Sequence, residues 1–200
     1  MPPKDLSPRH LQMRIRIAQL AAQLVAEHGI RDYGLAKRKA ARQLGAPDSH
    51  SLPGNDEIEA ALKDYQALYQ SAAHGDHLSR LRRQALAVMQ ALAGFNPVLV
   101  GSVLSGIATR HTDIEIEVDA ESSKSFEQYL HNQDIDFKVR DRGELVEYLL
   151  YSDPANVCIR LVPERQRHSG GRGRGEIQQR MTLSQLAALL EQEGSGLIAR

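Results

Sequence analysis

The chain has 200 residues, of which 42% are apolar and 4% aromatic, and its charged side chains balance to a net charge of zero. This length and apolar content suit one or two folded domains and exclude a disordered chain. The lone cysteine, Cys158, excludes a framework of internal disulfides. Because we find neither a signal peptide nor an apolar run long enough to span a bilayer, we expect a cytoplasmic protein without membrane attachment.

The charges are distributed unevenly along the chain. Residues 1–95, 96–157 and 158–200 carry net charges of +4, −7 and +3. An acidic centre between two basic ends favours a cation-binding site flanked by surfaces that attract phosphates. Imbalances of this size also occur on ordinary protein surfaces, so both interpretations stay open at this point.

The first half of the chain predicts helices only. Ser7-Pro8 is typical of a helix N-terminus, and the apolar spacing that follows predicts a helix from there to His28, with Gly29 as its stop. Three further helices are predicted over about 33–44, 55–74 and 77–93. We therefore predict a helical module over residues 1–95.

The second half predicts an α+β domain over residues 96–200. Short apolar or alternating runs predict strands at "VLV", "DIEIEV", "IDFKVRD", "LVEYLLYS" and "NVCIRLV". Helices are predicted at "SKSFEQYLHNQ" and, as the last element, from near Thr182. Between the last strand and this helix, residues 165–175 form a basic, glycine-rich loop.

The alternating segment "DIEIEV" carries the strongest chemical signal. In a strand, Asp113, Glu115 and Glu117 project to one side, because successive side chains point to opposite faces. Neighbouring acids on that side are about 6.5–7 Å apart at the backbone, so the first two can converge on one Mg²⁺. We expect Glu117 to be a solvated residue beyond the reach of that ion.

A glycine-serine pair precedes these acids. Gly101-Ser102 follows the apolar "VLV" run, where glycine lets the backbone approach an anion closely and the serine offers a hydroxyl. A phosphate-holding bend beside carboxylates that hold Mg²⁺ is the minimum equipment for phosphoryl-type transfer.

Gly101-Ser102, Gly106 and Asp113-Ile114-Glu115 together resemble the signature of the DNA polymerase β-like nucleotidyltransferases. The wider pattern resembles minimal bacterial members that carry a helical N-terminal extension. The resemblance implies a mixed sheet with helices packed on it, and transfer of an NMP from an NTP to a hydroxyl of RNA, protein or a small molecule. It also implies that Asp113 and Glu115 bind Mg²⁺ or Mn²⁺ and carry catalysis, whereas the glycine and serine hold the triphosphate.

The chain departs from this signature at the third carboxylate, which the family carries on a later strand. The strand "NVCIRLV" offers Cys158 and Arg160 on one face instead, and the substitutes that the sequence suggests for the third acid are Asp136 and Asp153. Arg160 can contact a nucleotide phosphate, but a guanidinium cannot act as a base.

Two hypotheses follow from this departure. The chain is either a metal-dependent nucleotidyltransferase, or a catalytically degenerate relative that binds RNA or a protein partner through its basic helices and loop. A role in a toxin–antitoxin pair, where minimal members of the superfamily also occur, would require a separate partner.

Overall fold

The computed structural model describes residues 8–30, 32–46, 52–69, 71–120, 122–141, 146–162 and 179–197. Over these ranges, none of the helices has the length and apolar character needed to cross a bilayer. By internal packing the chain divides into two units, which comprise residues 1–75 with 109–111, and residues 76–108 with 112–200. This division assigns residues 76–95 to the sheet-containing unit, whereas the sequence-based boundary follows residue 95.

The described residues of the first unit form three helices and the start of a fourth. These are α1 (Pro8–His28), α2 (Tyr33–Gln43), α3 (Asn55–Tyr69) and α4 (Ser71–Ala91). Helix α1 packs against both α2 and α3. Alanine dominates the buried positions of α1 and α2, and its small side chain lets the two helices approach closely. These alanines are Ala18, Ala21, Ala22, Ala26, Ala36, Ala40 and Ala41.

Local polar contacts fix the ends of two of these helices. Asp32 caps α2, with its Oδ1 accepting a hydrogen bond of 2.7 Å from the backbone N–H of Gly34. Glu57, in the first turn of α3, accepts from the backbone N–H of Gly54 at 2.7 Å and from Arg14 Nε at 2.7 Å. The guanidinium of Arg14 therefore lowers the pKa of Glu57 and ties α1 to the start of α3.

The second unit is an α+β structure. After most of α4 and a short 3₁₀ turn, its elements among the described residues are β1 (Val98–Val100), α5 (Gly101–Ser105), β2 (Ile114–Val118), α6 (Ser123–Asn132), β3 (Lys138–Asp141), β4 (Val146–Leu150), β5 (Val157–Leu161), β6 (Met181–Thr182) and α7 (Leu183–Leu197). The strands form a mixed sheet in the order β3-β4-β5-β2-β1-β6. Within it, β2 and β5 run parallel and the other neighbours run antiparallel.

One face of this sheet forms the hydrophobic core together with α4, α6 and α7. The alternating residues Ile114, Ile116 and Val118 of β2 are fully buried there, as the strand pattern predicts. Aromatic rings continue the core, with Phe126 of α6 edge-on to Tyr148 of β4 at a centroid distance of 5.1 Å. The opposite face of β2 is consequently left for the acidic residues.

Most of the predicted elements are confirmed, and three need correction. The break between α3 and α4 falls near residue 70, not near 74–77. Strand β3 begins at Lys138, three residues later than expected, and the short strand β6 precedes the final helix, which begins at Leu183. The basic loop predicted over 165–175 lies outside the described residues.

Candidate active site

The glycine-serine bend lies directly against the acidic strand. Gly101 begins α5 with a φ of +71°, a left-handed conformation that favours glycine. A Cβ placed on Gly101 would lie 2.7 Å from Oε1 of Glu115. The Glu115 carboxylate can therefore lie beside the bend only because Gly101 has no side chain. Ser102 follows in the first turn of α5 and is half-buried.

Helix α5 is short and is held at its carboxyl end. The carbonyl of Ser102 accepts a hydrogen bond from Gly106, which caps the helix in the left-handed conformation. From α4, Arg82 Nε and Nη2 donate to the carbonyls of Val103 and Leu104, at 3.4 Å each. Arg82 also pairs with Glu193 of α7.

The acidic pair lies at the start of β2. Asp113 directly precedes the strand and accepts a hydrogen bond of 3.4 Å from Asn156 Nδ2, while Glu115 is the strand's second residue. Because Ile114 faces the core, the two acids flank it on the other side of the sheet. The sequence-predicted residues of the bend and of the acidic pair thus share one end of β2.

Arg160 joins this group from β5, as the sequence analysis allowed. By register it lies level with Glu117 on one neighbour and with Glu147 on the other. Its Nη2 nevertheless donates to Oε2 of Glu115, and its Nε lies 3.4 Å from Oε1 of Glu147. The side chain of Arg160 is 20% exposed, so this guanidinium is largely desolvated between carboxylates from two different strands.

Among the residues that the structure describes, the acidic face carries more negative than positive charge. Its carboxylates are Asp113, Glu115, Glu117 and Glu147, and ion pairs join them to the described guanidinium groups of Arg160 and Arg180. Burial is the main cause that raises the pKa of Glu115, and the neighbouring carboxylates raise it further against the opposing effect of Arg160. A site with this surplus of hard oxygen donors suits a small divalent cation.

Glu147 is the acid that sequence reasoning missed. The two substitutes considered from the sequence, Asp136 and Asp153, are exposed, and neither is among the main charges that shift the pKa of Glu115. Glu147 on β4 is instead 8% exposed and reaches the site through Arg160. A single acid within the otherwise apolar run "VEYLL" was the available signal, because a buried acid requires a cationic partner.

Glu117 is buried, which corrects the expectation of a solvated residue. It is 3% exposed, and its Oε2 accepts a hydrogen bond of 2.8 Å from Arg180 Nε. Arg180 directly precedes β6, whose pairing with β1 brings it beside β2. Because Glu117 is almost fully buried and lies opposite Val98, away from the glycine-serine bend, we assign it a structural role with Arg180.

We expect Arg180→Ala to destabilise the fold by about 3 kcal/mol, because it leaves the buried carboxylate of Glu117 without this counter-charge. For a chain of this size the melting temperature falls by about 5–10 °C. Arg83→Ala, at an exposed position of α4, is the matched control and changes stability by less than about 0.5 kcal/mol. A melting temperature for Arg180→Ala within 1 °C of that control, measured by circular dichroism, contradicts the assignment.

Cys158 faces the same side of the sheet but lacks the character of a nucleophile. It pairs with Glu115 across β2 and β5 and is 8% exposed. Burial, with a smaller contribution from Glu147, raises the pKa of its thiol to about 12. The reactive thiolate is therefore scarce at neutral pH.

The donors present fit a nucleotide-bound cation better than a resident metal. Among the described ranges, no group of three or more His, Cys, Asp or Glu is arranged to hold a metal ion. Mg²⁺ that arrives with a nucleotide needs only one or two protein carboxylates, because phosphates and water complete its octahedron. Asp113 and Glu115 meet that lower requirement, provided that Glu115 is released from Arg160.

No family model and no curated protein matches the chain. Among solved structures, the chain is similar to that of Cid1 in complex with the UTP analogue UMPNPP, with 20% identity and a TM-score of 0.36. The match covers 46% of this chain and 32% of the other, so the chain spans about a third of that structure's length. The architecture of the chain itself is a mixed sheet with helices packed on it, as the sequence resemblance implies.

Proposed function

We propose that this protein binds an NTP through a divalent cation at Asp113 and Glu115 and transfers its nucleotidyl group to a hydroxyl. The observation that carries the proposal is the close approach of the Gly101 bend to the Glu115 carboxylate. A phosphate chain at such a bend lies within reach of a cation held by the same carboxylate. The proposal specifies the acceptor only as a hydroxyl group, which RNA, a protein or a small molecule can supply.

Each residue of the site has a distinct part in this proposal. Asp113 and Glu115 would hold Mg²⁺ or Mn²⁺, which when bound neutralises phosphate charge. Gly101 lets the backbone of the bend lie against the Glu115 carboxylate, and the Ser102 hydroxyl and the Arg160 guanidinium offer hydrogen-bond donors to a phosphate. The acceptor oxygen bonds to the α-phosphorus, the bond to the β-phosphate oxygen breaks, pyrophosphate leaves, and the acceptor proton passes to solvent.

A second candidate function is favoured by one specific observation. Arg160 on β5 forms ion pairs with Glu115 and Glu147, and it lies on the strand where the family resemblance implies a third acid. A chain in which this arginine permanently replaces the cation would keep the fold and bind RNA or a protein partner without turnover. This alternative predicts no nucleotide transfer at any metal concentration.

Incubation of the full chain with α-labelled NTPs, Mn²⁺ or Mg²⁺ and a cell extract tests the proposal. The proposal predicts that label appears on an acceptor, that chelation by EDTA stops the reaction, and that γ-labelled NTP leaves no label. Label from the γ position instead indicates phosphoryl transfer and contradicts the assigned reaction. No label from either NTP, together with salt-sensitive RNA retention, supports the non-catalytic alternative.

A further inference from the structure

Arg160 has two carboxylates within reach and does not satisfy both of them. Its Nη2 is hydrogen-bonded to Glu115, whereas its Nε is buried and makes no hydrogen bond within the described part of the chain. The nearest carboxylate to this Nε is that of Glu147, at 3.4 Å, which is an ion-pair distance without hydrogen-bond geometry. A buried N–H without a hydrogen bond destabilises the structure. A small movement of the Arg160 guanidinium that completes a hydrogen bond from Nε to Glu147 is therefore favourable.

The two carboxylates therefore pull Arg160 in opposite directions. Glu115 lies on β2 and Glu147 on β4, with the β5 strand that carries Arg160 between them. When the guanidinium is bonded to Glu115, one of the two proposed cation ligands is engaged by a positive charge. When it moves to Glu147, its buried Nε gains an acceptor and Glu115 becomes available to a cation.

We infer that Arg160 and a divalent cation compete for Glu115, and that Glu147 favours the cation by drawing Arg160 away. This inference rests on the proposed function for the identity of the cation site, but it concerns binding and not turnover. Glu147 is on this account a positioning residue that acts through Arg160. The arrangement keeps the acidic face partly neutralised until a cation arrives.

The inference predicts opposite effects for the two partners. Arg160→Met frees Glu115 and raises the affinity for Mn²⁺ on the order of tenfold, the scale of effects from groups that contact metal ligands. Glu147→Gln removes the competing carboxylate, leaves Arg160 bonded to Glu115 and lowers the affinity by a similar factor. The double variant Arg160→Met/Glu147→Gln leaves the net charge of the acidic face unchanged. It still frees Glu115, so we expect its affinity for Mn²⁺ to exceed that of the wild type.

The experiment titrates Mn²⁺ alone into the full chain and measures the free ion by electron paramagnetic resonance, with folding monitored by circular dichroism. Arg180→Gln is the matched control, because it removes a guanidinium from the same face but one that is bonded to Glu117. We expect it to change the affinity less than Arg160→Met does. Adding Asp113→Asn to the Arg160→Met chain cancels the gain and places the bound ion at the acidic pair.

The double variant decides the outcome, including the case in which Arg160→Met alone fails to fold. Equal Mn²⁺ affinities of the double variant and the wild type overturn the inference, because only net charge then matters. Undetectable Mn²⁺ binding in every variant overturns it as well. If the affinities follow the predicted order but α-labelled NTP leaves no label on any acceptor, the inference holds and the proposed transfer fails.

Discussion

Replacing Asp113 by asparagine is expected to reduce nucleotide transfer by about a thousandfold or more while leaving the fold intact. An amide carries no charge, so the proposed cation would lose one of its two anionic protein ligands and several kcal/mol of charge stabilisation with it. The fold tolerates the change because Asp113 is half-buried, and an amide oxygen at this position can still accept the hydrogen bond from Asn156. The face also loses part of its surplus negative charge.

The measurement compares the initial rate of label transfer and the melting temperature of the variant with those of wild type. Asp119→Asn is the control, since Asp119 follows the other end of β2 and is also half-buried. We expect this control to keep the wild-type rate. Wild-type transfer by Asp113→Asn would remove the cation site from the acidic pair, whereas loss of transfer together with a large fall in melting temperature would indicate a structural role.

Gly101→Ala is expected to disable the site through both backbone strain and displacement of Glu115. A left-handed φ of +71° costs a residue with a Cβ about 1–2 kcal/mol. The new methyl group would also lie 2.7 Å from Oε1 of Glu115, so that the carboxylate must move away from the bend. We expect a loss of about 2–4 kcal/mol in stability and of at least about a hundredfold in transfer.

Gly106→Ala separates these two effects, because it also has a positive φ but no close neighbour. Gly106 has a φ of +80°. A Cβ on this residue would lie 3.8 Å from Nη2 of Arg82, which is an ordinary van der Waals contact. This control therefore shows the strain without the displacement. Adding Glu115→Asp to Gly101→Ala shortens the acid by one methylene and is expected to restore part of the stability. Equal melting temperatures for Gly101→Ala and Gly106→Ala would show that the contact with Glu115 is unimportant.

The sequence was most informative where the structure of a residue depends on one helix or strand alone. The alternation in "DIEIEV" was sufficient to assign the buried and acidic faces of β2, because side-chain direction in a strand follows from position alone. The helix over 8–28 was predicted with both of its ends, since Pro8 and Gly29 are local signals. The proximity of Gly101 to Glu115 was predicted from a family pattern, and the structure confirms it.

The predictions failed where pairing between distant segments decides the environment. Glu117 is buried because Arg180 arrives beside it with β6, more than sixty residues later in the chain. Glu147 joins the site because β4 pairs with β5 in the register that places it opposite Arg160. Neither register is encoded in the periodicity of one strand, so the charge partners of these acids were not accessible from the sequence alone.

Arg82 gives the bend a support that extends beyond the site. A helix of five residues has too few internal hydrogen bonds to be stable alone, and two carbonyls of α5 depend on this guanidinium. The same side chain is anchored to Glu193 of α7. Through Arg82, the helical turn that follows the glycine-serine bend is thus tied to α7, a helix much later in the chain, and we expect loss of the Glu193 carboxylate to weaken this tie.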